Sequence, residues 1–271
     1  MMYPPSISPE AMCSVDAVLA RIAGLERASS QPVALLLDYD GTLTPIVDRP
    51  DQAFLTPTMH DLLSHLAGLY PLAIVSGRDV EDVRRLVAID NIIYVGSHGL
   101  DIATPDQVYQ PGQPFRAAIQ RAAARLENEL ASITNAFVQS KRYAITVHTR
   151  LVAPAAKPHV AAIVREVLTG EPSLRHMDGK EMHELRPVLD WHKGSAIGWL
   201  LGDLLAGHPP LFLGDDVTDE DGFRAVAGTG LGVRVGAPDQ PTAADLHIPD
   251  VGAVEWLLQR LGERRLAATA G

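Results

Sequence analysis

The segment "LLLDYDGTLTP", residues 35–45, places two aspartates at the end of an apolar run. Five apolar residues, from Val33 to Leu37, lead directly into Asp38 and Asp40. A short apolar run that ends in a turn signal is typical of a buried strand. Two interpretations of the aspartates stay open at this point. They shape a turn or cap a helix, or they carry chemistry at the carboxyl end of a parallel sheet.

Four further apolar runs end in turn or polar residues, and helical patterns lie between several of them. These runs are "PLAIVSGRD" (71–79), "NIIYVGSHG" (91–99), "PLFLGDD" (210–216) and "GLGVRVG" (230–236). Apolar spacing predicts helices at 59–69, 80–87 and 196–205. Strands that alternate with helices predict the α/β class, with a doubly wound, Rossmann-like parallel sheet.

The middle of the chain departs from this alternation. It contains a long helical pattern at 115–130, a second at 159–168, and two alternating segments, "YAITVHTR" (143–150) and "GKEMHELRP" (179–187). Alternation of apolar and polar residues is typical of an antiparallel sheet with one covered face. The sequence therefore predicts a smaller α+β domain at 104–186, inserted into a core formed by 1–103 and 187–271.

Composition limits the partners of the protein. The 271 residues carry a net charge of −10, which disfavours nucleic acid and anionic membranes as partners. No apolar run approaches the length of a membrane helix, and the start "MMYPPSISPEAMC" resembles no signal peptide. The only cysteine, Cys13, permits no internal disulfide and favours a reducing compartment, so we expect a cytoplasmic protein. The N-terminus is expected to be irregular and the tail "RLAATAG" frayed.

The acidic segment "GDDVTDED" (214–221) also follows an apolar run. Acidic residues suit the first turn of a helix, which accounts for the part from 219 to 221 but not for Asp215 at a strand end. The segment at Asp38 has its glycine at the fourth position of an EF-hand loop instead of the sixth. In the acidic segment, Gly222 at the sixth position would leave Val217 and Gly228, which are not ligands, at the first and twelfth positions. Ligands that are oxygen atoms only indicate Mg²⁺.

Two further polar residues lie at element ends. In "VSGRD" (75–79), Ser76 or Asp79 caps the helix that begins near Val80, or the Ser76 hydroxyl and nearby N–H groups bind a phosphoryl oxygen. In "DWHKGSA" (190–196), Lys193 lies at a helix start, against the preference of the helix dipole. It is an ordinary surface lysine, or it neutralises a phosphate.

Taken together, the motifs resemble those of the haloacid dehalogenase-like phosphohydrolases over nearly the whole chain. Within that class the chain is similar to the trehalose-6-phosphate phosphatase family. The resemblance rests on "DYDGTLTPI", "SGRD", "YVGSHG", "GKEMHELRP", "HKG" and "GDDVTDED". The insertion matches the cap domain of the family. A Walker P-loop is absent, and "GLGVRVG" is a poor dinucleotide fingerprint.

The resemblance implies roles for residues of the core. Asp38 would be the nucleophile that forms an aspartyl-phosphate, and Asp40 would be the general acid and base. Mg²⁺ would be held by the Asp38 side chain, the Asp40 backbone carbonyl and Asp215. Further residues would bind phosphoryl oxygens (Ser76, Lys193), support the metal from an outer shell (Asp216, Asp219) or bind the substrate (Gly77, Arg78, His98).

The resemblance also implies sugar-binding residues in the cap, namely Gln139, Lys141, Arg150, Lys180 and Glu184. At position 139 the family has Glu, and Gln139 keeps an acceptor, adds two donors and loses the charge. The implied function is Mg²⁺-dependent hydrolysis of trehalose 6-phosphate. The alternatives are a phosphatase for another sugar phosphate, of the sucrose or mannosyl type, and an inactive sugar-phosphate-binding regulatory domain. The expected partner is the small-molecule sugar phosphate, and the sequence does not identify any protein partner.

Overall fold

The chain divides into two compact units. The computed structural model describes residues 8–47, 49–179, 181–237 and 240–269. One unit comprises 1–109 with 191–271, and the other comprises 110–190. We had placed the insertion at 104–186, so both of its borders lie a few residues later in the structure. The first border moves because Val108–Tyr109 pairs with Ile102–Ala103 as part of the larger sheet.

Strands and helices are numbered here along the chain. The strands are β1 Ala34–Leu37, β2 Leu72–Val75, β3 Ile93–Gly96, β4 Asp101–Ala103, β5 Val108–Tyr109, β6 Phe137–Ser140, β7 Ile145–His148, β8 Leu174–Gly179, β9 Met182–Pro187, β10 Pro210–Gly214, β11 Leu231–Val235 and β12 Leu246–Ile248. The helices are α1 Pro9–Ser29, α2 Pro57–Ala67, α3 Val80–Val87, α4 Arg116–Leu130, α5 Lys157–Thr169, α6 Lys193–Gly202, α7 Glu220–Val226 and α8 Val251–Thr269. Among the described helices, none combines the length and apolarity that crossing a bilayer requires.

The larger sheet has the strand order β12-β11-β10-β1-β2-β3-β4-β5. The strands from β12 to β3 are parallel, and β4 and β5 extend the edge as antiparallel strands. From β1 the chain winds outwards through β2 and β3, and later from β10 through β11 and β12 in the opposite direction. This topology confirms the predicted doubly wound α/β fold. Its switch point lies between β1 and β10, where ligands bind in open sheets of this kind.

Both faces of the larger sheet are covered by helices. On one face, Leu35 and Leu37 of β1 pack in a cluster with residues of α1, α2, α3 and α8. On the other face, Leu36 and the Phe212 ring of β10 pack with α6 and α7. Because β1 is buried on both faces, it is apolar at every position, as the opening segment of the sequence suggested.

The ends of the chain differ from the sequence-based expectation. Residues 1–7 lie outside the described residues, but the part of the N-terminal region from Pro9 onwards, which we expected to be irregular, forms α1. Pro9 occupies its first turn, and the Ser8 hydroxyl accepts a hydrogen bond from the Ala11 N–H at 3.2 Å. Cys13 is an exposed residue of this helix. At the other end α8 continues to Thr269, through most of the tail that we expected to be frayed. Ala270 and Gly271 lie outside the described residues.

The second unit is an antiparallel sheet of order β6-β7-β9-β8. Ile145, Val147 and Leu185 pack against α4 and α5 on one face. The predicted strand at 179–187 corresponds to β9, which begins only at Met182, whereas Gly179 ends the neighbouring strand β8. The argument that Lys180 and Glu184 face one side needs a single continuous strand, so it no longer applies. Lys180 itself lies outside the described residues.

We predict that the packing of α1 against the core stabilises the fold. The Ile22 side chain is fully buried in the main cluster, so Ile22→Ala should lower the free energy of unfolding by about 2–5 kcal/mol. The exposed neighbour Arg21 supplies the control, since Arg21→Ala should change it by less than about 0.5 kcal/mol. Urea unfolding measures both variants. Equal effects from the two substitutions would contradict this assignment of α1.

Candidate active site

The centre of the site is a buried lysine between two carboxylates. Lys193 Nζ lies 2.7 Å from Asp38 Oδ1 and 2.7 Å from Asp219 Oδ1. All three residues are at most 5% exposed. Burial would lower the pKa of Lys193, but the charges of the two aspartates outweigh it and raise that pKa above its ordinary value. Lys193 therefore stays protonated and holds Asp38 in one orientation.

The position of Lys193 at the start of α6 is explained by these partners. A cation at a helix N-terminus is disfavoured by the helix dipole. Here two carboxylates neutralise the ammonium group, so the unfavourable position is tolerated. Lys193 is therefore not an ordinary surface lysine, and its contact with a phosphate stays a prediction.

Asp219 organises the loop after β10. Its Oδ2 accepts hydrogen bonds from the backbone N–H groups of Asp215 at 3.1 Å and Asp216 at 3.0 Å. With Lys193 on Oδ1, both oxygens of Asp219 are engaged. Asp216 Oδ1 accepts from the Val217 N–H at 2.7 Å, so this side chain also shapes the turn. Asp219 thus positions Lys193 and the acidic loop together.

Asp38, Asp215 and Asp219 form a cluster whose ligand atoms lie within 4.8 Å of one another. Oδ1 of Asp215 is buried and has no hydrogen-bond partner among the described residues. Burial, followed by the charges of Asp219 and Asp216, raises the pKa of Asp215 to about 6. Burial also raises the pKa of Asp38 well above its ordinary value, although Lys193 acts in the opposite direction. A divalent metal ion fits this unsatisfied oxygen-rich site, because it would offset the crowded negative charge.

Gly41 permits the close approach of Asp215 to the loop after β1. It has φ +81°, and a Cβ atom at this position would overlap the Asp215 carboxylate. Only glycine tolerates both the positive φ and the close contact with Asp215 at low cost in free energy. The Asp-x-Asp-Gly pattern is thus a steric requirement of the cluster as well as a turn signal.

Asp40 lies beside the cluster, and both of its carboxylate oxygens accept hydrogen bonds from Arg78. Arg78 Nε lies 2.7 Å from Asp40 Oδ2, and Arg78 Nη2 lies 2.6 Å from Asp40 Oδ1. A third guanidinium nitrogen, Nη1, lies 3.0 Å from Asp82 Oδ2. The sequence suggested Arg78 as a substrate-binding residue, and the structure shows it engaged by two carboxylates.

The turns after β2 and β3 pack tightly against each other. The buried Ser76 hydroxyl accepts a hydrogen bond from the Arg78 N–H at 3.1 Å. A Cβ atom on Gly77 would lie 2.6 Å from the His98 ring, so glycine is needed for this approach. Ser97 and His98 have φ of 51° and 55°, a conformation uncommon outside glycine. Asp79 occupies the N-cap position of α3, yet its side chain accepts from Ser97 Oγ at 2.7 Å instead of capping the helix.

The second unit presents a polar sheet face away from α4 and α5. Strand register places Gln139, Thr146 and Glu184 in one row across β6, β7 and β9. Gln139 Oε1 lies 3.1 Å from His148 Nε2, and Glu184 Oε2 lies 2.9 Å from Arg186 Nη2. Two of the predicted sugar-binding residues therefore share this face.

His148 is a residue of this face that the sequence reasoning did not select. Burial lowers its pKa, and the charges of Lys141 and Arg150 lower it further. His148 thus lies near three predicted residues, Gln139, Lys141 and Arg150. The signal was present in the alternating segment "YAITVHTR", where His148 falls on the polar face.

The predicted residues separate between the two units. The first unit contains Asp38, Asp40, Ser76, Gly77, Arg78, His98, Lys193 and Asp215, all after strands of the larger sheet or at the start of α6. The second contains Gln139, Lys141, Arg150 and Glu184. Asp82, Ser97 and His148 were missed as partners. Asp82 lies inside α3 and gave no signal, whereas Ser97 directly follows β3 in "YVGSHG" and His148 ends β7, positions that could have marked both.

The chain, with its doubly wound sheet and second unit, shares the fold of a haloacid dehalogenase-like hydrolase from Bacteroides thetaiotaomicron, at a TM-score of 0.57 and 16% identity, covering 85% of this chain and 100% of that one. Residues 36–250 match the model of the trehalose-phosphatase family, so the chain belongs to that family. The resemblance inferred from the motifs is thereby confirmed.

Individual relatives agree with this assignment. Trehalose-phosphate phosphatase B of Arabidopsis thaliana is 35% identical over 253 residues, which cover 87% of this chain and 68% of the relative. The crystal structure of a trehalose-6-phosphate phosphatase related protein has a TM-score of 0.74 at 26% identity, covering 87% of this chain and 99% of that one. The trehalose-6-phosphate phosphatase of Aspergillus fumigatus has a TM-score of 0.66 at 28% identity, covering 90% and 97%.

We predict that Gly41→Ala removes divalent metal binding. The added methyl group would displace Asp215, and the positive φ would cost about 1–2 kcal/mol for alanine. Calorimetric titration with Mg²⁺ should show at least a large loss of affinity in a protein that remains folded. Gly24→Ala is the matched control, because a Cβ atom there meets nothing within 4 Å. Unchanged Mg²⁺ affinity in Gly41→Ala would contradict the proposed steric role.

Proposed function

We propose that this protein is a Mg²⁺-dependent phosphatase that hydrolyses trehalose 6-phosphate to trehalose and phosphate. The observation that carries the proposal is the convergence of Asp38, Lys193 and Asp215 at the switch point of the larger sheet. Membership of the trehalose-phosphatase family supports the choice of substrate. We place the reaction in the cytoplasm because a single cysteine favours a reducing compartment.

In the first half-reaction, a carboxylate oxygen of Asp38 attacks phosphorus. The bond between phosphorus and the sugar oxygen breaks, and Asp40 gives its proton to that oxygen, so trehalose leaves and an aspartyl-phosphate remains. Lys193 fixes the attacking carboxylate through its contact with Oδ1. Phosphoryl transfer depends mainly on positioning and charge neutralisation, which this arrangement supplies.

In the second half-reaction, a water molecule attacks the phosphorus of the aspartyl-phosphate. Asp40, now a carboxylate, takes a proton from the water, and the bond between phosphorus and Asp38 breaks. Phosphate leaves, and both aspartates return to their starting states. The Ser76 hydroxyl and Lys193 are the proposed contacts of the phosphoryl oxygens.

The proposed ligands of Mg²⁺ are the side chains of Asp38 and Asp215 and the backbone carbonyl of Asp40. When bound, the ion supplies positive charge that offsets the phosphoryl oxygens and the clustered carboxylates. Asp219 is less suited to direct ligation, because both of its oxygens already accept hydrogen bonds.

The polar sheet face of the second unit is the proposed sugar-binding surface. A neutral disaccharide offers mainly hydroxyl groups, so its recognition needs hydrogen bonds, and charged groups make the stronger ones. Gln139, Lys141, Arg150 and Glu184 are the residues we assign to this role, together with Lys180 from the sequence. A different sugar phosphate, of the sucrose or mannosyl type, would use the same core chemistry with other contacts on this face.

The first test is phosphate release from a panel of sugar phosphates by the wild-type protein and Asp38→Asn. We expect trehalose 6-phosphate to be the preferred substrate, activity to vanish on chelation and return with Mg²⁺, and Asp38→Asn to lose nearly all turnover. An amide keeps the shape of the side chain but cannot attack phosphorus. Retained activity in homogeneous Asp38→Asn would exclude Asp38 as the nucleophile. A preference for another sugar phosphate would exclude trehalose 6-phosphate as the preferred substrate.

The second test separates sugar recognition from chemistry. Loss of a hydrogen bond to a charged group costs about 1.5–3 kcal/mol, so Glu184→Ala should lower kcat/KM for trehalose 6-phosphate about ten- to a hundredfold. A small aryl phosphate, which needs only the core, should be nearly unaffected. Glu166→Ala is the control, because Glu166 is also ion-paired with an arginine but lies on α5. Equal losses on both substrates would instead mean that Glu184 supports the fold of the second unit.

A further inference from the structure

Outside the Lys193 contact, Arg78 is a second cation of the core site that is shared by two carboxylates. Its guanidinium binds both oxygens of Asp40 in a fork, at 2.7 and 2.6 Å. Bidentate pairs of this kind fix the plane of a carboxylate as well as its position. The Arg78 side chain is 11% exposed, whereas that of Asp40 is 40% exposed. Arg78 therefore holds Asp40 from the protein side and leaves it open towards solvent.

The guanidinium is itself held in place. Asp82, on α3, accepts from Arg78 Nη1 at 3.0 Å, and Arg85 Nη2 lies 2.7 Å from the other oxygen of Asp82. The Tyr39 ring lies beneath the guanidinium, 5.5 Å from ring centroid to Cζ. The Arg78 carbonyl accepts from the Ser97 N–H at 2.6 Å, so its backbone is fixed too. A group restrained from so many directions has little freedom to follow a substrate.

We propose that Arg78 is a positioning residue, which fixes the Asp40 carboxylate for proton transfer, rather than a contact of the sugar or the phosphate. The inference rests on the proposed function, in which Asp40 gives and then takes a proton. The departing sugar oxygen and the attacking water occupy the same side of phosphorus, opposite Asp38. One fixed orientation of Asp40 therefore serves both half-reactions, and no rearrangement is needed between them.

The dependence of kcat/KM on the leaving group distinguishes a residue that positions Asp40 from one that contacts the sugar or the phosphate. An acid that protonates the leaving oxygen matters for alkyl phosphates, whose alkoxide leaves poorly, and little for 4-nitrophenyl phosphate, whose phenolate leaves readily. The value of kcat/KM covers only the steps up to release of the leaving group, so the later water step does not affect it. The substrates are trehalose 6-phosphate, glycerol 2-phosphate, which is an alkyl phosphate without a sugar ring, and 4-nitrophenyl phosphate.

The principal variant is Arg78→Lys, which keeps the charge and removes the fork. We expect kcat/KM to fall on the order of a hundredfold for both alkyl phosphates and by less than about threefold for 4-nitrophenyl phosphate. Asp40→Asn should give the same pattern, and adding Arg78→Lys to it should cause little further loss, because both act through one group. Asp82→Asn, which loosens the guanidinium without touching Asp40, should give a weaker form of the pattern.

Arg84→Lys is the matched control, because Arg84 also lies on α3 but pairs with Asp90 instead of Asp82, and it should leave all three rates unchanged. A loss confined to trehalose 6-phosphate would overturn the proposal in favour of a sugar contact. Equal losses on all three substrates would overturn it in favour of a phosphate contact or a structural role, and unchanged rates would also overturn it. If the wild-type protein hydrolyses the two simple phosphates but not trehalose 6-phosphate, the proposed substrate fails while the comparison of leaving groups still decides the role of Arg78.

Discussion

The buried contact of Lys193 with Asp38 and Asp219 is the interaction on which the rest of the site depends. It joins three elements that are distant in sequence, namely the end of β1, the start of α6 and the loop after β10. A buried charge without a partner is costly, and removing one member of a buried pair leaves the other uncompensated. Each member of this contact therefore requires the other two. The same contact fixes the direction of the Asp38 carboxylate, so stability and the orientation of the proposed nucleophile have one physical cause.

The position of the site in the fold could be predicted from the sequence, because it follows from strand alternation. Asp38, Ser76 and Asp215 each end an apolar run, and parallel strands bring their carboxyl ends to one edge. The partners at the site could not be predicted in this way. Asp219 looked like an acidic helix start, and only the folded loop shows that both its oxygens accept hydrogen bonds. The positive φ angles of Ser97 and His98 could not be predicted from the sequence either, because non-glycine residues rarely adopt this conformation. Such backbone strain often accompanies function.

The elements that the sequence reasoning missed share a physical reason. β6 has mostly exposed side chains, so its hydrophobic pattern is weak, and it is defined by its pairing with β7. β8 is an edge strand that was not predicted, because our strand at 179–187 corresponds to its hairpin partner β9. For α1, we expected an irregular N-terminus, although Pro9 in the first turn, after a serine cap, is a common way to start a helix. Strand pairing and helix capping stabilise these elements, but neither is visible in the periodicity of the residues. These elements could therefore be identified only from the structure.

Electrostatics explains how an acidic protein can be suited to a dianionic substrate. The aspartates of the core site include Asp38, Asp40, Asp215 and Asp219, whereas the two cations that the structure places among them are Lys193 and Arg78. Lys193 is shared by two carboxylates, and Arg78 is likewise shared by Asp40 and Asp82. Neither cation therefore carries unbalanced charge towards a phosphate. The positive charge needed to attract the phosphate must come from outside the chain, and the cluster around Asp215, with its unsatisfied oxygen, is where the structure can hold it.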